Sequence, residues 1–131
     1  MLRVLIADKQ HTVADTTAKI LGKFGHETTA VYSGQSAVEL AAVLRPDVFI
    51  SEVMMPGMTG IEAGILVRLM LPSCRVILFA EEGLTAGLFE RAKSQGHVFE
   101  TISKPIELQV LLSRLRWSSA ASRQFEKGRT I

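Results

Sequence analysis

The chain has 131 residues, a length that fits one domain. It is 47% hydrophobic and 21% charged, which suits a globular protein with a real core and excludes a low-complexity chain. The formal net charge is +2, but residues 112–131 hold Arg114, Arg116, Arg123, Lys127 and Arg129 against Glu126, a balance of +4 that leaves −2 on the remainder.

A basic end of this kind reads first as a solvated helix terminus, and cations without a DNA-binding motif make a weak case for nucleic acid. The start, Met1 to Lys9, is too short and too soon charged for a secretory signal. No apolar run approaches the ~20 residues a membrane helix needs. Cys74 is the single cysteine, so an internal disulfide is excluded, and its place in an apolar run reads as core packing. A cytoplasmic setting without a membrane partner is expected.

Leu2, Val4, Leu5 and Ile6 form a first apolar strand that ends at Asp8. Thr12 to Asp15 has the pattern of a capping box, and Val13, Thr17, Ile20, Leu21 and Phe24 follow at helical spacing. Gly25 stops that helix. Thr28 to Val31 is a short strand, and Ser33 caps a second helix with Ala37, Leu40, Ala41 and Leu44 on one face. Pro46 ends it.

Val48, Phe49 and Ile50 are wholly apolar, as in a strand buried on both faces, and the strand stops at Glu52. Pro56, Gly57 and Gly60 mark a loop, and Thr59 to Glu62 is a Thr-x-x-Glu capping box opening a third helix, with Ile61, Ile65 and Leu69 inward. Val76 to Phe79 is a further buried strand. A fourth helix is predicted from about Leu84 to Ser94, a last strand over Val98 to Ile102, and a fifth helix with Leu108, Leu111, Leu112 and Leu115 on one stripe.

Strand–helix alternation with short links implies parallel strands and right-handed crossovers, hence an α/β, three-layer, doubly wound sheet. Three strand ends bring polar groups to its ligand-binding edge: Asp8-Lys9, Glu52 and Lys104.

In order and spacing, Leu5-Ile-Ala-Asp8, Pro46 to Gly60 and Ile102-Ser-Lys104-Pro105 resemble the receiver domain of two-component response regulators over about residues 2–117. The resemblance implies a flavodoxin-like fold with five strands in the order 2-1-3-4-5 and a cis bond before Pro105. It divides the chain into a receiver-like domain, 1–117, and a basic tail, 118–131, that extends the fifth helix or is disordered. It also implies the family's chemistry. An aspartate after the third strand accepts a phosphoryl group, acids after the first strand hold Mg²⁺, and a lysine pairs with the phosphoryl. A hydroxyl after the fourth strand and an aromatic on the fifth then shift the output face.

Nearly every chemical position departs from that pattern. Glu52 stands at the acceptor, and the acidic pair is Asp8-Lys9. The hydroxyl position falls on Ala80 and the switch aromatic on Thr101, while Lys104 is kept. Asp8 and Glu52 against Lys9 and Lys104 sum to zero, so no metal is expected. At ~4 Å and an effective dielectric near 20, one unit-charge repulsion is worth about 4 kcal/mol, and a divalent ion beside an ammonium doubles it. Lys9 is therefore expected to take the metal's place and pair with Glu52 and Asp8, giving a pseudo-receiver held in one state.

The function expected is a phosphorylation-independent, non-enzymatic interaction module. Its partner would be a histidine kinase, another receiver or an output protein, bound through the fourth helix (Leu84, Phe89), fifth strand and fifth helix. One alternative is a phosphorylatable switch with an atypical acceptor. Ser51 is disfavoured for that role because it points away from Glu52's side of the strand. A cofactor-binding flavodoxin-like protein is a weaker alternative, since Asp8 to Thr12 has no glycine. A relic fold without a working pocket is a further one, against which the complementary Lys9–Glu52 replacement counts. His11 and His97 read as surface residues, and Met54, Met55 and Met58 as loop packing. Trp117 and Phe125 could pair a second copy as a homodimer.

Overall fold

Apolar runs become strands and amphipathic runs become helices, in strict alternation. A computed structural model describes residues 1–81, 83 and 85–116 of the protein. The strands are β1 (Arg3–Ala7), β2 (Glu27–Val31), β3 (Val48–Glu52), β4 (Arg75–Ala80) and β5 (Glu100–Ser103). The helices are α1 (His11–Lys23), α2 (Gly34–Leu44), α3 (Gly60–Met70) and α4 (Ala86–Ser94), with a further helix, α5, over described residues 108–116.

All neighbouring strands run parallel in the order β2-β1-β3-β4-β5, the doubly wound, flavodoxin-like order expected. Register is set by alternation: successive side chains face opposite layers. Leu5, Phe49, Val76 and Leu78 pack under Ala37, Ala41, Ala63 and Val67 of α2 and α3. Ile6, Ile50, Ile77 and Phe79 pack against Leu21 of α1 and Leu111 and Leu115 of α5. Every residue of β3 is buried, because both faces are covered.

Several expectations at element ends are corrected. Gln10, not Thr12, precedes α1, and it makes no side-chain cap; the helix starts with His11 before Thr12 can serve as its boundary. Phe24 lies past the last turn of α1 and is exposed, and Leu69 is 69% exposed because the buried stripe of α3 runs through Ile61, Gly64 and Val67 instead. β5 starts at Glu100 rather than Val98, and α4 at Ala86. Leu84, Trp117, Phe125 and the proposed tail 118–131 lie outside the described residues.

Candidate functional site

β1, β3 and β5 all end at one edge, and each carries one expected residue there. Asp8 and Glu52 are both almost fully buried. Glu52 is held from two sides. Its Oε1 accepts the backbone N–H of Lys9 at 3.1 Å, and its Oε2 accepts from Lys104 Nζ at 3.0 Å. Lys9 Nζ lies 3.7 Å from Glu52 Oε1 and donates at 2.8 Å to the backbone carbonyl of Met54, two residues past Glu52. The Lys9 side chain thus straps the β1–α1 loop to the β3–α3 loop.

The pairing of Lys9 with Asp8 is corrected. Among the described residues, Asp8 makes no ion pair with either lysine, and its Oδ1 accepts the Gln10 N–H at 2.9 Å. The Lys9 ammonium is turned instead to Glu52 and to the Met54 carbonyl.

Burial pushes the Asp8 carboxyl above the usual range against the pull of the Gln10 amide, and the charge of Glu52 adds to the rise. Burial works the same way on Glu52, but the Lys104 ammonium, the Lys9 amide and the Lys9 charge together hold it below the usual range. The two carboxyls are thereby driven apart, Glu52 as the standing anion.

The cavity around this cluster has a volume of about 270 Å³ and is lined by Lys9, Glu52, Met54, Phe79, Glu81, Thr85 and Lys104 among others. The start of α3 packs closely on the backbone of Glu52. A Cβ on Gly60 would sit 2.0 Å from the Glu52 carbonyl oxygen, so only glycine fits where α3 begins. The Thr59 capping box is complete: Thr59 Oγ1 accepts the Glu62 N–H at 3.1 Å and Glu62 Oε1 accepts the Thr59 N–H at 3.2 Å.

The remaining expected positions are placed as follows. Ala80 ends β4, and its carbonyl accepts the Lys104 N–H at 3.1 Å. The Lys104–Pro105 peptide is cis. Thr101 is exposed and lines a groove of about 340 Å³ between α4 and β5, together with Phe89, Val98 and Phe99. Ser51 is buried on the other face of β3, its hydroxyl donating to the Glu52 carbonyl at 2.8 Å. Cys74 is a core thiol pushed up to about 12, first by burial. His11 stacks on Tyr32 with ring centroids 3.7 Å apart. Met55 is buried and Met58 packs on the core, while Met54 is exposed.

Two features escape residue-type reasoning. The Met54 carbonyl is a backbone atom, so nothing in the residue's identity marks it as the strap's anchor. Glu100 at the start of β5 is clamped by Arg75 and by Arg114 of α5, residues brought together only by the fold. Arg75 also donates to the Arg114 carbonyl at 2.6 Å, which ties α5 to β4.

Relatives agree with this architecture. PdtaR of Mycobacterium tuberculosis, a transcriptional regulatory protein, is 30% identical over 125 residues, covering 93% of this chain and 58% of the relative. LnrK of Bacillus subtilis, also a transcriptional regulatory protein, is 29% identical and covers 79% and 49% respectively. The chain thus spans about half the length of these regulators. Among solved structures, chemotaxis protein CheY4 of Vibrio cholerae superposes with a TM-score of 0.77 at 26% identity, over 90% of this chain and 98% of that one. A response regulator receiver domain protein of Clostridium thermocellum shares the fold with a TM-score of 0.83 at 20% identity, over 95% and 99%. With the family model for the response regulator receiver domain matching residues 4–116, the chain belongs to the receiver domains of two-component signalling.

Proposed function

We propose that this receiver works as a phosphorylation-independent protein-interaction module whose acceptor pocket is filled by its own lysines. The observation that carries it is the double hold on Glu52: both carboxylate oxygens are engaged by Lys9 and Lys104 at 3.0–3.7 Å. A glutamate so held supplies a standing negative charge where the family forms one by phosphoryl transfer, though a carboxylate carries less charge than a phosphoryl.

The donor set fits Mg²⁺ poorly. That ion wants carboxylates and gives up water reluctantly. Here one carboxylate is already paired with ammoniums, and the Met54 carbonyl is occupied by Lys9 Nζ. The other, Asp8, is buried, and burial raises its carboxyl above the usual range, which weighs against a charged ligand for the ion.

Receiver domains bind kinases, other receivers or output domains. For this chain we assign the contact to α4, β5 and α5, where the groove beside Phe89, Val98 and Phe99 offers apolar surface. The module is non-catalytic and acts in the cytoplasm, where such kinases present their domains. The test is intact-mass spectrometry of the full chain after incubation with acetyl phosphate and Mg²⁺. An unchanged mass is expected. A gain of one phosphoryl group that is lost in Glu52→Gln would overturn the proposal in favour of an atypical acceptor.

A further inference from the structure

We infer that the outer face of α3 pairs two copies of this chain about a two-fold axis, with Leu66, Leu69 and Met70 meeting their counterparts. The contact lies apart from the α4, β5 and α5 surface assigned above and does not depend on the state of the acceptor pocket.

A surface helix ordinarily turns one apolar stripe inward and a charged face to water. α1 and α4 follow that rule, exposing Asp15, Lys19 and Lys23 in the one and Glu90, Arg91 and Lys93 in the other. α3 does not. Its inward stripe of Ile61, Gly64 and Val67 is buried, yet its opposite side is apolar as well. Leu69 is 69% exposed, and Leu66 and Met70 are each 39% exposed. At i, i+3 and i+4 the three share one face of the helix. Val98 is 68% exposed and borders that face, because its carbonyl accepts from Arg68 Nη1 at 3.0 Å. A helix apolar on both sides is the pattern of one that is covered.

Charge decides what covers it. α3 carries two charged side chains, Glu62 and Arg68, and both are engaged within the chain. Glu62 closes the Thr59 capping box at the far end of the helix. Arg68 lies over the Phe99 ring, its guanidinium carbon 4.2 Å from the centroid, while it bonds the Val98 carbonyl. Among the described residues, α3 therefore offers no free cation to a nucleic acid or an anionic lipid headgroup, and no free anion to a basic partner. A two-fold contact sets each group against its own kind, so it is costly for a face of one charge and open to a neutral apolar one. Two antiparallel α3 helices place Leu69 of each copy near the axis, flanked by Leu66 and Met70 of the other. The face is short, so the dimer is weak, with a Kd on the order of 10 µM.

The test is sedimentation equilibrium of the full chain from about 1 to about 100 µM. The samples are wild type, Leu69→Glu, Leu69→Lys, an equimolar mixture of those two variants, and Thr101→Arg. Wild type is expected to pass from monomer to dimer across the range. Each Leu69 variant sets like charges together and should weaken the dimer about thirtyfold or more. The mixture sets opposite charges together and should restore it, which also shows that neither variant is lost to misfolding. Thr101→Arg alters the α4–β5 groove and should leave the dimer as it is. A wild type that stays monomeric, a dimer that either charge leaves intact, a mixture that stays monomeric, or a dimer lost in Thr101→Arg each overturns the inference.

Discussion

Two glutamates at opposite edges of one sheet are each held by two basic residues, and they are held for different ends. Glu100, at the amino-terminal edge, meets the planar forks of Arg75 and Arg114, with Arg75 Nε at 2.7 Å and Arg114 Nη1 at 2.6 Å. It sits partly exposed. Guanidinium forks fix geometry, so this cluster fastens α5 to β4 and β5. Glu52, at the carboxyl-terminal edge, meets lysines, which are compact point charges on flexible stems. It lies deeper and beside a second carboxyl, Asp8, in a cavity. Burial opposes the charge of both glutamates, and in both the basic partners win and hold the carboxyl below its usual range. The same charge pattern is therefore a fastener where the forks are rigid and a filled pocket where the cations can move.

Substitutions can break this contrast at either edge. The largest effect is expected for Gly60→Ala, because the new methyl meets backbone rather than a movable side chain. A loss of about 3 kcal/mol in urea unfolding is predicted. The amides around Glu52 should shift in the spectrum while those around Glu100 stay. Glu52→Gln should cost about 2 kcal/mol at pH 7, since two cations lose their anion. Its carboxyl is held below the ordinary value, so the stabilisation is present above about pH 4.5 and is lost as pH falls through the lowered folded value. The difference between wild type and variant should shrink accordingly in acid.

Glu100→Gln should cost about 1–2 kcal/mol, less than a fully buried pair because all three side chains are partly solvated. Here the exchange protection of α5 should fall while the pocket amides keep their positions. Asp8→Asn should act in the opposite direction. A carboxyl raised by burial favours the fold only below its ordinary value near 3.8 and works against it once ionised. The variant should gain about 0.5–2 kcal/mol at pH 7 and nothing near pH 3. Lys9→Ala should change stability least, by about 0.5 kcal/mol or less, because its ammonium is half exposed.

The contrast also separates what sequence reveals from what it hides. The parallel, doubly wound sheet and the meeting of Asp8, Glu52 and Lys104 at one edge are legible because the strands are apolar runs and strand ends converge by topology, while the strand order is legible only through the family resemblance. The caps at Ser33 and Thr59 are legible because their side chains bond within three residues. The Arg75–Glu100–Arg114 fastener is not, since its members lie 14 to 39 residues apart and match no local pattern. Thr12 and Thr85 show the limit of capping rules. Both fit the residue preference, yet α1 starts ahead of Thr12 and Thr85 turns its hydroxyl to Glu81. Lys9 was legible as a cation near Glu52, but its firmest contact is a carbonyl that no residue preference announces.

Magnesium titration of the full chain, followed at the amides of Asp8, Lys9 and Glu52, bears most directly on whether the lysines have replaced the ion. Wild type should show no saturable change through millimolar concentrations, and Lys9→Asp, which returns an acid to the loop, should show one. A saturable shift in wild type with a Kd in the millimolar range or tighter would mean that the pocket still takes its metal and that Lys9 yields to it.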